Sequence, residues 1–98
     1  MINIEKEAQN YLTVCSDSKG LSTLTIKAYK IDLKQFCLYM KRRGCFDKNE
    51  LSAYINSLHQ HYKPKTAKRK IACLKAFYRY MEIEEIIEIN PFHKITLK

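Results

Sequence analysis

Apolar residues recur every three or four positions along most of the chain, the spacing that places them on one face of an α-helix. The pattern is clearest between Lys65 and Met81, where the apolar stripe consists of Ala67, Ile71, Leu74, Tyr78 and Met81, with Phe77 at its edge. The cations that lie roughly opposite this stripe are Lys65, Lys68, Arg69, Lys75 and Arg79. No acid occurs in the segment before Glu82. One face therefore suits a protein core, and the other suits solvent or an anionic partner.

The same spacing predicts three earlier helices. The first covers about Ile4 to Cys15 and ends in a polar break over residues 16–20. The second starts at a cap formed by Ser22 or Thr23 and continues to about Arg43, where Gly44 is a helix stop. The third follows Asp47, which with Glu50 resembles a capping box, and Pro64 suits the first position of the fourth.

The second helix carries three kinds of side chain on separate faces. Its core face consists of Ile26, Tyr29, Leu33, Phe36 and Met40, and about 120° round lie Thr23, Lys27, Lys30, Lys34 and Lys41. A second apolar strip, made of Leu24, Ile31 and Leu38, predicts that this helix contacts neighbours on two sides. Asp32 lies near the apolar edge, a position that favours a salt bridge between helices over catalysis.

Composition narrows the possibilities to one small helical domain. The chain has 98 residues, only two Gly and two Pro, and a formal net charge of +8. We therefore expect an all-α bundle of four, or at most five, helices whose partner is nucleic acid or another anionic surface. No secretory signal occupies residues 1–10 and no stretch is long enough to span a membrane, so the expected location is cytoplasmic.

The sequence does not predict an active site, a metal site or a cofactor. Cys15, Cys37, Cys45 and Cys73 are widely spaced and suit buried thiols, while His59 and His61 point in different directions on a helix. Two glycines cannot build a phosphate-binding loop, and no nucleophile–base motif is present. The function that remains is binding of a partner. On a nucleic acid, the lysines would suit phosphate contacts, and Arg69 or Arg79 would suit contacts with guanine.

Two segments together carry a family resemblance. From Ser22 to Met40 the chain reads SxxTxxxYxxDLxxFxxYM, and from Lys65 it reads KTAKRKIACLKAFYRYM, followed by Asn90-Pro91-Phe92. This pairing resembles the N-terminal core-binding, SAM-like domain of the tyrosine recombinases, the phage integrase family, over about residues 4–95. Members of that family commonly have Gly between the fourth helix and Asn-Pro, where this chain has Glu84 and Glu85.

The resemblance implies a domain whose second and fourth helices clamp one side of double-stranded DNA, in a site-specific recombinase or integrase. The implied DNA contacts are Thr23, Lys27, Lys30, Lys34, Lys65, Thr66, Lys68, Arg69, Lys75 and Arg79. Residues 1–95 would form the DNA-binding domain and residues 96–98 the start of a linker. The nucleophilic tyrosine would belong to a separate C-terminal catalytic domain, so none of the seven tyrosines here is expected to be catalytic. Further partners would be that domain and other recombinase protomers on DNA.

Three other functions fit parts of the pattern. A helix-turn-helix regulator would need a short recognition helix after a Gly-containing turn, which residues 59–64 do not supply. A basic helical module that binds an acidic protein would be favoured by an exposed apolar groove. RNA binding is less favoured, because no exposed aromatic platform is evident.

Overall fold

The computed structural model describes residues 2–41 and 47–95. The helices in chain order are α1 (Ile4–Asp17), α2 (Thr23–Met40), α3 (Lys48–His61), α4 (Pro64–Ile83) and a C-terminal 3₁₀ helix (Pro91–Lys94). The described residues contain no β-strand, which confirms the all-α prediction. Within them, no helix combines the length and apolarity needed to cross a bilayer.

Polar side chains fix where the helices begin. The Ser22 hydroxyl accepts a hydrogen bond from the Thr25 amide at 3.2 Å, and Asp47 accepts from the Asn49 amide at 2.7 Å. Both caps were expected from the sequence. Helix α1 continues to Asp17, two residues further than predicted. The predicted end of the second helix near Arg43, its stop at Gly44 and the thiol of Cys45 lie outside the described residues.

Helix α4 is the centre of the bundle. Its buried residues are Ala67, Lys70, Ile71, Cys73, Leu74, Phe77, Tyr78 and Met81. The Phe77 ring lies 5.7 Å from that of Tyr11 on α1, and the Tyr78 ring lies 5.9 Å from that of Phe36 on α2. The buried arc of α4 is thus wider than the predicted stripe, because α1 covers the flank on which Phe77 lies.

Aromatic residues also join α2 to α3. The Tyr54 ring lies 5.3 Å from the Phe36 ring and 4.8 Å from the Tyr39 ring. Burial raises the pKa of the Tyr11 and Tyr54 hydroxyls, because an apolar environment disfavours the phenolate. Cys15, Cys37 and Cys73 are buried, as expected for structural thiols.

Helix α4 ends in a Schellman motif at the position where this chain departs from the family pattern. The Ile86 amide donates to the Met81 carbonyl at 2.8 Å and the Glu85 amide donates to the Glu82 carbonyl at 3.1 Å. Glu85 adopts a left-handed conformation with φ of 58°. That conformation suits glycine, so the chain keeps the helix stop and tolerates a strained side chain there.

The segment after α4 folds back onto the bundle, as its apolar residues suggested. Phe92 is buried, with its ring 5.2 Å from that of Tyr78. The Asn90 amide and the His93 ring both contact the Glu82 carboxylate, at 3.3 Å and 3.1 Å. These hydrogen bonds lower the pKa of Glu82, which indicates that the charged form helps to hold the segment in place.

Replacement of Leu74 by Ala tests the predicted core face. Leu74 is 1% exposed, so Leu74→Ala is expected to lower the free energy of unfolding by about 2–5 kcal/mol through lost burial and a residual cavity. Leu24 is 79% exposed, so the control Leu24→Ala should change it by less than about 0.5 kcal/mol. Urea denaturation followed by circular dichroism measures both, and equal effects would contradict this packing.

Replacement of Glu85 by Gly tests the helix stop. A left-handed side chain costs about 1–2 kcal/mol, and the extra flexibility of glycine in the unfolded chain offsets part of that gain. We therefore expect Glu85→Gly to raise the free energy of unfolding by up to about 1 kcal/mol. Glu84 has φ of −81°, so Glu84→Gly should lower stability instead. A loss of stability in both variants would contradict the strained conformation.

Candidate nucleic-acid interface

The ten side chains that the sequence predicted to contact DNA all reach the protein surface. Thr66 is half-buried and the other nine residues are exposed. Four of these residues belong to α2 and six belong to α4.

Helix α4 presents a row of cations on its outward side. Lys65, Lys68, Lys75 and Arg79 lie opposite the buried arc of the helix and are exposed. Within the described part of the chain, no ion pair involves any of these four side chains. Their charge is therefore available to an external anion.

The start of α4 adds to this positive surface. Lys63 precedes the helix without a side-chain cap, and the first turn contains no acid. The amide groups of the first turn carry a partial positive charge, since the helix dipole is not compensated there. Lys65 and the half-buried Thr66 belong to this first turn.

Helix α2 presents its lysines on the side that faces α1. Lys30 and Lys34 line a groove between the two helices, together with Glu5 and Gln9 of α1. Asp32 instead faces α4, and residues two apart on a helix lie about 200° apart. Lys30 and Lys34 thus lie on the flank of α2 that is away from its contact with α4.

An exposed apolar strip lies on the outward face of α2, between those two flanks. Leu24, Ile31 and Leu38 are 79%, 56% and 63% exposed. Helix α2 does contact neighbours on two sides, as predicted, but these neighbours are α1 and α4, and the strip itself stays exposed. Ile31 lies only about 40° round the helix from Lys27, so apolar and cationic side chains share this surface.

A buried carboxylate joins α2 to α4. Asp32 is 2% exposed and accepts from Nη1 of Arg69 at 2.7 Å and from Nζ of Lys70 at 2.9 Å. Nζ of Lys70 also donates to Oε1 of Gln35 at 2.8 Å and lies 4.7 Å from the centre of the Tyr62 ring. The interpretation of Asp32 as a salt bridge between helices is confirmed.

Lys70 is not among the residues that the sequence predicted for the site. This residue lies three positions after Ala67 and four before Leu74, and so belongs to the core stripe, where an unpaired cation would be costly. Asp32 is the single acid of α2, so the pair could have been found by matching a cation on one apolar stripe with an acid at the edge of another.

Arg69, one of the predicted contacts, is also bound within the protein. Its side chain is 42% exposed even though Nη1 contacts Asp32. It lies at the seam between α2 and α4, apart from the outward row of Lys65, Lys68, Lys75 and Arg79. This pairing changes what Arg69 can do, because part of its guanidinium is already committed to a carboxylate.

The buried polar groups near the seam are poorly suited to nucleophilic chemistry. Burial, followed by the nearby Asp32 carboxylate, raises the pKa of the Cys73 thiol. A thiol with a raised pKa is a poor nucleophile. Within residues 2–41 and 47–95, no group of three His, Cys, Asp or Glu side chains lies close enough to hold a metal ion.

Comparison with known proteins gives a consistent result. The family model described as the N-terminal SAM-like domain of phage integrases matches residues 8–85. A protein of Agathobacter rectalis named tyrosine recombinase is 41% identical over 99 aligned positions, which cover 99% of this chain and 32% of that protein. The proteins named tyrosine recombinase XerC of Lacticaseibacillus casei and Staphylococcus saprophyticus are 32% and 30% identical, covering 92% and 95% of this chain and 32% and 33% of their own.

The chain thus spans about a third of the length of the curated relatives it matches. No solved structure gave a significant match.

Removal of the Asp32 carboxylate tests the link between α2 and α4. In Asp32→Ala the buried Lys70 loses its anion, so the free energy of unfolding should fall by about 3–5 kcal/mol. Lys75 is exposed and has no ion-pair partner among the described residues, so Lys75→Ala should change it by less than about 0.5 kcal/mol. Equal, small changes in urea denaturation would show that the buried pair contributes little.

Proposed function

The chain belongs to the family of N-terminal SAM-like domains of phage integrases, and from that membership we propose that it is the DNA-binding, core-binding domain of a site-specific tyrosine recombinase or integrase. It clamps one face of a recombination half-site and sets the register of the protein on it. The observation that carries this proposal is the row of exposed cations along the outward side of α4, which have no ion-pair partner among the described residues.

Electrostatics account for most of the proposed affinity. Each lysine that neutralises a phosphate releases a condensed counterion, so binding weakens steeply as salt is added. For the isolated chain we expect a non-specific dissociation constant in the usual range of about 10⁻⁴–10⁻⁶ M at physiological salt. The proposed phosphate contacts of α4 include three lysines, Lys65, Lys68 and Lys75, because lysine is a flexible point charge. Thr66 is the fourth phosphate contact.

The two arginines have different roles in this proposal. Arg79 has no ion-pair partner among the described residues, so its whole guanidinium is available for a guanine or a phosphate. Arg69 is held by Asp32. On α2, Thr23, Lys27, Lys30 and Lys34 contact the backbone of the same DNA.

In this proposal, a part of the protein outside this chain carries out the recombination reaction. Residues 1–95 form the DNA-binding domain, and residues 96–98 begin a linker to a C-terminal catalytic domain of the same polypeptide. That domain supplies the tyrosine nucleophile for cleavage and strand exchange, and other recombinase protomers bind the same DNA. Tyr11, Tyr54 and Tyr78 are buried and suit the core of this domain. The catalytic tyrosine is therefore assigned to the C-terminal domain.

A second candidate function is favoured by the exposed strip of Leu24, Ile31 and Leu38. Apolar side chains beside lysines suit an acidic protein with an apolar ridge, and such a module would use α2 without DNA. A titration with duplex DNA separates the two candidates. Binding whose logarithm falls linearly with the logarithm of salt concentration supports the DNA clamp, and no binding at low salt leaves the protein-binding function.

Charge reversal on α4 tests the proposed face directly. Lys68→Glu combined with Lys75→Glu removes two cations and should weaken binding to a random duplex by about tenfold or more at low salt. It should also reduce the slope of the salt dependence by about 2, one for each lost phosphate contact. Fluorescence anisotropy measures both quantities. Arg69 is left unchanged, since a carboxylate there would face Asp32 and disturb the fold.

The control changes the same amount of charge on other helices. Lys6 of α1 and Lys48 of α3 are exposed, so Lys6→Glu combined with Lys48→Glu gives a chain of equal net charge. It should keep most of the affinity. Equal weakening by both double variants would show that net charge, and not the face of α4, controls binding.

A further inference from the structure

The two cations around Asp32 differ in their access to solvent. The Lys70 side chain is 6% exposed, whereas the Arg69 side chain is 42% exposed. Both contact the same carboxylate, one at each oxygen. Lys70 is held further by Gln35 and by the ring of Tyr62, so it is the internal member of the trio. Arg69 is the member that an external molecule can reach.

The charges of the trio leave one positive charge uncompensated. Asp32 carries one negative charge against two positive ones, and Lys70 alone is enough to neutralise it. A single Asp–Arg pair would present little net charge to an anion. Because Lys70 lies on the inner side of the carboxylate, the excess charge is presented at the surface by Arg69.

The geometry points to Asp32 as a positioning residue for DNA binding, and we propose that it holds Arg69 so that the free edge of the guanidinium meets a phosphate. A guanidinium has five N–H donors, and Nη1 supplies the contact with Asp32. The others can form the parallel pair of hydrogen bonds that phosphate favours. An arginine already ordered by a buried carboxylate loses less conformational freedom when it binds. This inference rests on the proposed DNA-binding function and assigns one of its residues a partner.

The direction in which one substitution changes the affinity for DNA distinguishes a positioning role of Asp32 from an effect of its charge alone. Asp32→Asn removes a negative charge near the DNA, so an effect of charge alone would strengthen binding. If Asp32 positions Arg69, the same change should weaken binding by about 2- to 10-fold, the lower part of the range of coupling between contacting residues. It should also reduce the salt slope by about 1, as expected for one lost phosphate contact.

The effect of Asp32→Asn should depend on Arg69, which is tested by introducing it into two variants that each lack one cation. In Arg69→Gln, the further change Asp32→Asn should alter the dissociation constant less than about 1.5-fold, because there is no arginine left to position. In Lys68→Gln, which changes the neighbouring exposed cation without a contact to Asp32, it should weaken binding as much as in the original chain. Equal weakening in both backgrounds, or tighter binding by Asp32→Asn alone, would overturn the proposal.

A measurement on the unsubstituted chain covers the case in which Asp32→Asn does not fold. Side-chain ¹⁵N NMR should show the Arg69 guanidinium restricted in the free protein and still restricted on DNA, with Arg79 mobile in the free protein. Equal mobility of the two arginines in the free protein would overturn the inference. Absence of any DNA binding at low salt would instead refute the proposed function itself, a result that anisotropy of the original chain gives separately.

Discussion

The buried carboxylate of Asp32 constrains how the two central helices of this domain meet. A carboxylate that is 2% exposed is tolerated only where cations and hydrogen bonds replace its hydration. Arg69 and Lys70 provide both, and they come from consecutive positions of α4. The relative rotation of α2 and α4 is therefore limited, because a turn of either helix would leave a charge buried without a partner. The side chains that α2 and α4 expose to solvent are therefore held in a fixed relative position.

The aromatic core is arranged around the same pair of helices. Tyr78 lies between Phe36 on one side and Phe92 on the other, so the segment after α4 completes the core that α2 begins. Edge-to-face ring contacts of this kind have a preferred geometry in addition to their apolar area. The Schellman motif at Glu85 directs the chain back toward Tyr78, even though the left-handed position carries a glutamate.

The surface of these two helices is cationic on α4 and mixed, apolar and cationic, on α2. Exposed cations follow the outward side of α4, whereas the outward face of α2 combines lysines with the exposed Leu24, Ile31 and Leu38. A DNA phosphate backbone would complement the cations, and apolar side chains at such an interface can contact thymine methyl groups. The strip is thus compatible with the DNA-binding proposal as well as with a protein partner, and the salt titration distinguishes them.

Local rules were enough to predict most of the helices from the sequence alone. The caps at Ser22 and Asp47 depend on hydrogen bonds within one turn, and the start at Pro64 depends on the fixed φ of proline, so all three can be read from neighbouring residues. The core stripe of α4 follows from its periodicity, and the ten surface residues follow from the same pattern together with the family resemblance. Their role in DNA binding stays a prediction.

Tertiary contacts decided the remaining features. Periodicity shows that Leu24, Ile31 and Leu38 share a face, but only the positions of α1 and α4 leave that face open. Lys70 and Asp32 are 38 positions apart, and a pairing across that separation depends on how two helices cross. The crossing also separates Arg69 from Lys65, Lys68, Lys75 and Arg79, since Arg69 reaches Asp32 at the seam while those four side chains are exposed on the outward side of α4. A pattern within one helix contains no information about the neighbour that it will meet.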